Sequence, residues 1–155
     1  MKLLKTILKV LVVVIVCLFA AAQFKRPART NPLIDHSQAI EAHTQMKPEV
    51  ASILERSCND CHSNRTAWPW YTNVAPVSWF VTEHVDDGRE EMNFSEWGLY
   101  NRRTRETRLQ AICEEVESGA MPLSSYLPLH PHAKLSPEDK KALCDWAEAE
   151  RARLK

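Results

Sequence analysis

The sequence predicts an all-α domain behind an N-terminal hydrophobic segment, and three observations carry that expectation. Glycine is scarce, with 3 in 155 residues, and strand-like alternation is nearly absent. Apolar residues recur at helical spacing, as in Val50-Ile53-Leu54 and Leu109-Ile112-Val116. Helix punctuation falls where helices need it, with Pro48 and Pro137 at starts and Gly119 at an end.

The length suffices for one domain with its own core once a leader is set aside. Twenty basic and twenty acidic residues cancel formally, but the balance is uneven along the chain. Lys2, Lys5 and Lys9 precede the first acidic residue, Asp35, and residues 23–155 carry a net charge of −3. Nucleic-acid binding needs a concentrated basic face, and no such cluster is present.

Residues 1–24 read as a signal peptide or an N-terminal membrane anchor. Val10 to Ala22 is an unbroken apolar run of 13 residues. That suits a signal-peptide core and is short of the roughly 20 residues that cross a bilayer. Ala20-Ala21-Ala22 offers a small-residue cleavage site, whereas Ile7, Leu8 and a snorkelling Lys9 lengthen the run toward an anchor. Both readings export the rest of the chain, because the lysines stay on the inner side. Cys17, preceded by bulky Val16, reads as an apolar member of the segment.

Residues 25–47 mix Arg, Pro, Asn and His without period and read as a linker; 48–155 is the domain. Its first helix starts at Pro48 and runs into Cys58. A loop with Trp68, Pro69, Trp70 and Tyr71 comes next, then a helix near 77–86 closed by Gly88. Asn93 or Ser95 caps a short helix over 92–97. A long helix is expected over 105–118, then a proline-rich loop. The last helix has Ser136 as N-cap, Pro137 at its first position and acidic Glu138 and Asp139 in the first turn. Long loops in so small a domain need something to wrap around.

Cys58-Asn59-Asp60-Cys61-His62 is the motif that bears chemistry. Cys-x-x-Cys-His is the pattern of c-type haem attachment. On a helical turn positions i, i+3 and i+4 share a face, so two thioethers and an axial imidazole arise from one turn. Zinc would require a second ligand pair, which Cys113, Cys144 and the remaining histidines do not form in sequence. A redox dithiol would sit in a βαβ context and has no use for His62. Export also favours modified or bridged cysteines over free thiols.

A histidine-ligated iron has a second axial position, and methionine there raises the potential and suits electron transfer. Met121, in the Met121-Pro122 loop between the last two helices, occupies the place from which class I cytochromes c present their axial sulfur. Met92 is its competitor. His84, His130 and His132 are lesser candidates, and each methionine can equally be a core-filling residue.

The chain resembles the bacterial haem-binding domain family of small exported proteins built around one CxxCH. The matching stretches are Cys58–Ser63, Trp68-Pro69-Trp70-Tyr71 and Ala75-Pro76-Val77-Ser78-Trp79. Further matches are Asp87-Gly88-Arg89, Asn93–Trp97, Met121-Pro122-Leu123, Tyr126 and His130-Pro131. The resemblance covers nearly the whole chain. It implies a cytochrome c-like helical domain around one covalently attached haem c, in a membrane-associated or periplasmic setting. By that likeness Cys58 and Cys61 are thioether sites and His62 is the proximal ligand, while Met121 fits the distal position by similarity to cytochromes c generally.

Trp68, Trp70, Tyr71 and Trp79 are candidates to line the haem or reach its propionates, against ordinary core packing. Arg65 is a candidate propionate partner. Cys113 and Cys144, on the inward faces of two long helices, are expected to form a disulfide in an oxidising compartment. The expected function is single-electron transfer in the periplasm with redox partner proteins, the inner membrane holding any uncleaved leader. A haem enzyme or sensor with an open distal face is the alternative, and a filled sixth position argues against catalysis.

Overall fold

The structure of the protein is a computed structural model that describes residues 2–155. It is all-helical, as the periodicity predicts, and no strand occurs among the described residues. The described chain divides into two compact units: residues 2–30 with 68–84, and residues 31–67 with 85–155.

The first unit contains α1 (Lys2–Ala22), a 3₁₀ turn over Trp70–Asn73 and the start of α5 (Val77–Glu91). Helix α1 is 21 residues long and begins well before the 13-residue apolar run. Lys5 and Lys9 lie within it without breaking it, because lysine is a good helix former. All of its large apolar side chains are exposed, and its length and composition suffice to cross a bilayer.

The second unit holds α2 (Ile40–His43), α3 (Pro48–Ser57), a single turn α4 (Asn59–His62), the end of α5, α6 (Arg102–Ser118) and α7 (Pro137–Arg153). Its core joins Val50, Ile53 and Leu54 of α3 to Leu109, Ile112 and Val116 of α6 and Leu143, Trp146 and Ala147 of α7. Trp97, on a 3₁₀ turn over Phe94–Leu99, is almost completely enclosed.

Several boundaries differ from the sequence reading, each for a physical reason. Part of the expected linker is structured, since Ala39 and Ile40 are only 2% exposed and Ile40 joins the core. One apolar residue among polar neighbours gives no period to read. Helix α5 continues through Gly88 to Glu91, so that glycine is interior and does not cap it. Helix α6 starts at Arg102, where Asn101 accepts a hydrogen bond from the Thr104 amide. Gly119 ends it at φ 78°, a left-handed conformation that costs glycine little. At α7, Ser136 and Asp139 make a reciprocal capping box.

Cys113 of α6 and Cys144 of α7 are joined by a disulfide with Cα atoms 4.8 Å apart. Arg56 of α3 pairs with Asp139 at the start of α7 at 2.7 Å. The 119–135 loop between α6 and α7 contains only one short 3₁₀ turn, Pro131–Ala133. The disulfide therefore closes the ends of a segment with little regular structure. Replacing both cysteines by serine is expected to cost roughly 3–4 kcal/mol by loop-closure entropy, read as a lower urea midpoint against the oxidised parent.

Candidate functional site

The CNDCH segment is a tight corner. Cys58 (φ −129°, ψ −38°) breaks α3 from α4, and its carbonyl accepts from the amides of Cys61 at 3.1 Å and His62 at 2.9 Å. The corner is pinned from several directions. Ser63 Oγ donates to the Asn59 carbonyl at 2.7 Å, and Thr66 Oγ1 donates to the Asp60 carbonyl at 2.7 Å. The Asp60 carboxylate accepts from the Ala67 amide at 2.9 Å and from the Tyr126 hydroxyl at 2.6 Å. The last bond ties the loop after α6 to the centre of the Cys-x-x-Cys motif.

Helix α5 passes close to this corner because position 88 has no side chain. A Cβ at Gly88 would lie 2.7 Å from the Cys61 carbonyl oxygen and 3.1 Å from Cys61 Cβ. One turn on, the Met92 carbonyl lies 3.0 Å from His62 Nδ1. A carbonyl can only accept, so Nδ1 carries the proton and Nε2 keeps its lone pair for a ligand-binding role. Burial pushes the His62 pKa down, against the opposing pull of the Met92 and Gly88 carbonyls, which keeps the ring neutral at pH 7. A neutral, oriented imidazole is the form that binds a metal.

Cys58, His62, Met92 and Met121 all line one cleft of about 290 Å³. Its walls are chiefly apolar, with Leu54 of α3, Phe94, Ile112 and Val116 of α6, and Pro122. Phe94 lies at 5.9 Å from the His62 ring, centroid to centroid. Met121 is brought there by the turn past Gly119, its amide donating to the Glu115 carbonyl at 3.1 Å. Arg108 also lines the cleft, paired with Glu91 at 2.8 Å. Neither residue stood out in the sequence, where both belong to charge-rich helices.

The motif thiols are poorly suited to redox or thiolate chemistry. Burial pushes the Cys58 thiol up to about 12, with neighbouring Cys61 adding to the effect. Burial and Asp60 push Cys61 up to about 11. A reactive dithiol needs the reverse shift. Both sulfurs are unbridged.

Other candidates lie elsewhere. Trp68, Trp70, Tyr71 and Trp79 belong to the first unit. Arg65 pairs with Glu41 at 2.8 Å. Ring stacking holds His130 on Tyr126 at 3.8 Å, with His132 beside it, whereas His84 packs on Phe80. The sequence could rank these residues by type but had no signal for which wall each would join.

Two outcomes are expected from this geometry. Gly88→Ala should destabilise the protein by about 1–3 kcal/mol in urea titrations, since overpacking outweighs the ~1 kcal/mol gain in helix propensity. In folded, unloaded protein at pH 8, Cys58 and Cys61 should alkylate on the order of 100-fold more slowly than in urea, measured by mass spectrometry.

A family model described as a haem-binding domain matches residues 17–149, most of the chain and all of the cleft. No curated protein and no solved structure matches it. A neutral imidazole whose Nδ1 is held by a carbonyl, on an apolar cleft that methionines also line, fits the binding of haem iron. The chain belongs to the haem-binding domain family.

Proposed function

We propose that this protein is an exported, membrane-anchored electron carrier with one covalently bound haem c. The observation that carries the reading is that Met121, far from the motif in sequence, lines the same apolar cleft as Cys58 and His62. Cys58 and Cys61 would supply the thioether sulfurs, His62 Nε2 the proximal ligand and Met121 the distal sulfur. Bound there, haem supplies a one-electron couple, and a methionine opposite histidine sets its potential high.

The chain's own part is to hold this set still and dry. Met92 fixes the His62 ring through its carbonyl at Nδ1. That places the Met92 backbone behind the proximal ring, which favours Met121 over Met92 as the ligand opposite. Leu54, Phe94, Ile112 and Val116 give the cleft its apolar lining. Arg108, paired with Glu91, is a cation on the cleft lining that could meet a haem carboxylate. The partners would be redox proteins on the outer side of the inner membrane, and α1 supports the anchored setting by its length and exposure.

The test is spectroscopic. Co-expressed with c-type haem maturation machinery, the wild type should carry haem that resists acid–acetone extraction. Its iron should be low-spin and take up no carbon monoxide. Met121→Ala should become high-spin, bind carbon monoxide and show a lower midpoint potential. Ready carbon monoxide binding by the wild type would sink the carrier reading in favour of an open distal site. The same changes from Met92→Ala, with Met121→Ala silent, would move the ligand to Met92.

A further inference from the structure

Within the first unit, the residues just past α1 are bound to the aromatic segment 69–80. The Gln23 side chain makes a two-way pair with Ala75, Nε2 donating to its carbonyl at 3.1 Å and Oε1 accepting from its amide at 3.0 Å. Gln23 Nε2 also donates to the Phe19 carbonyl at 2.9 Å, locking the side chain to the last turn of α1. Trp79 Nε1 donates to the Lys25 carbonyl at 2.6 Å, and the Lys25 ammonium lies 5.8 Å from the Trp79 ring centroid. Arg29 donates to the Thr72 carbonyl at 3.0 Å and to the Asn73 side chain.

Helix α1 has 21 residues, about 31 Å at 1.5 Å per residue, which matches the ~30 Å of hydrocarbon in a bilayer. An α1 that spans puts Gln23–Lys25 at headgroup level. Ala75 and Trp79, each one hydrogen bond away, lie at that level too. Large apolar side chains are bare here, with Phe24 90%, Trp70 77% and Phe80 47% exposed. In water these are poor solvent-facing groups, whereas a membrane interface favours aromatic rings of this kind.

Charge is segregated in the same sense. Residues 23–34 and 68–82 contain no aspartate or glutamate, and Lys25, Arg26 and Arg29 stand among them. The exported chain as a whole is acidic, with a net charge of −3 over residues 23–155. A basic, aromatic collar at the exit of a spanning helix fits lipid phosphates and the acyl boundary beneath them.

We propose that segment 69–80, with residues 24–29, is a membrane-interface surface. Phe24, Trp70 and Phe80 enter the headgroup layer, and Lys25, Arg26 and Arg29 meet the phosphates of anionic phospholipid. This rests on the anchored reading of α1. It gives Trp70 and its neighbours a role apart from the haem.

The test uses the full haem-loaded chain in liposomes of phosphatidylethanolamine and phosphatidylglycerol. A Cys17→Ser background carries Trp70→Cys or Phe80→Cys with an environment-sensitive fluorophore, and Glu148→Cys on α7 is the control. Fluorophores at 70 and 80 should shift to the blue and be quenched by headgroup-proximal doxyl lipids, with no such change at 148. Quenching should weaken when phosphatidylcholine replaces phosphatidylglycerol; indifference to that exchange overturns the contact with anionic headgroups. A carbonate-resistant, embedded protein whose labels at 70 and 80 report water overturns the inference while leaving the anchor intact. Release of the chain by carbonate overturns the anchor and the inference together.

Discussion

The close approach of α5 to the Cys61–His62 corner is the constraint on which the site depends. It exists because Gly88 presents only a hydrogen where any other residue would meet the Cys61 carbonyl. Once the two backbones touch there, the Met92 carbonyl reaches His62 Nδ1 and the tautomer is decided. The next turn is held as firmly. Asn93 Nδ2 donates to Asn64 Oδ1 at 2.9 Å, and the Asn64 amide donates to Ser95 Oγ at 3.0 Å, all of them buried. A buried network with its partners in place fixes one geometry and penalises the alternatives.

The part of the cleft around Met121 is built differently. Met121 and Pro122 sit on a loop with little regular structure, so regular helix packing cannot position them. Three features do so instead: the left-handed exit at Gly119, the disulfide between α6 and α7, and the Tyr126–Asp60 hydrogen bond. The last joins the loop that carries Met121 to the Cys58–His62 segment. The His62 part of the cleft is thus set by close backbone packing and the Met121 part by cross-links around a loop.

How much of this was legible in the sequence depends on the range over which each signal acts. Local chemistry was legible: the CxxCH turn, the Ser136 cap, the Gly119 stop and the apolar stripes of α3, α6 and α7. Residues whose role depends on a distant partner were not. Gly88 looked like a helix end, because glycine past a helix terminus is the commoner use, and only the approach of Cys61 shows its purpose. Ile40 had no periodic neighbours to mark it as core. Asp60 and Arg108 carried no signal of their partners, since Tyr126 and Glu91 lie far from them in sequence. Trp68, Trp70, Tyr71 and Trp79 were legible as a cluster, and sequence has no way to tell which unit an aromatic loop will join.

The contrast between the two cysteine pairs bears on how the molecule is assembled. Four cysteines beyond α1 can pair in three ways, and under the proposed reading haem attachment requires Cys58 and Cys61 to stay out of all of them. Thiol–disulfide exchange proceeds through the thiolate, and the folded protein suppresses that form at both motif positions. Cys113 and Cys144 are meanwhile consumed by each other across α6 and α7. Folding thus treats the two pairs in opposite senses, holding the motif thiols in their protonated form while it joins Cys113 to Cys144.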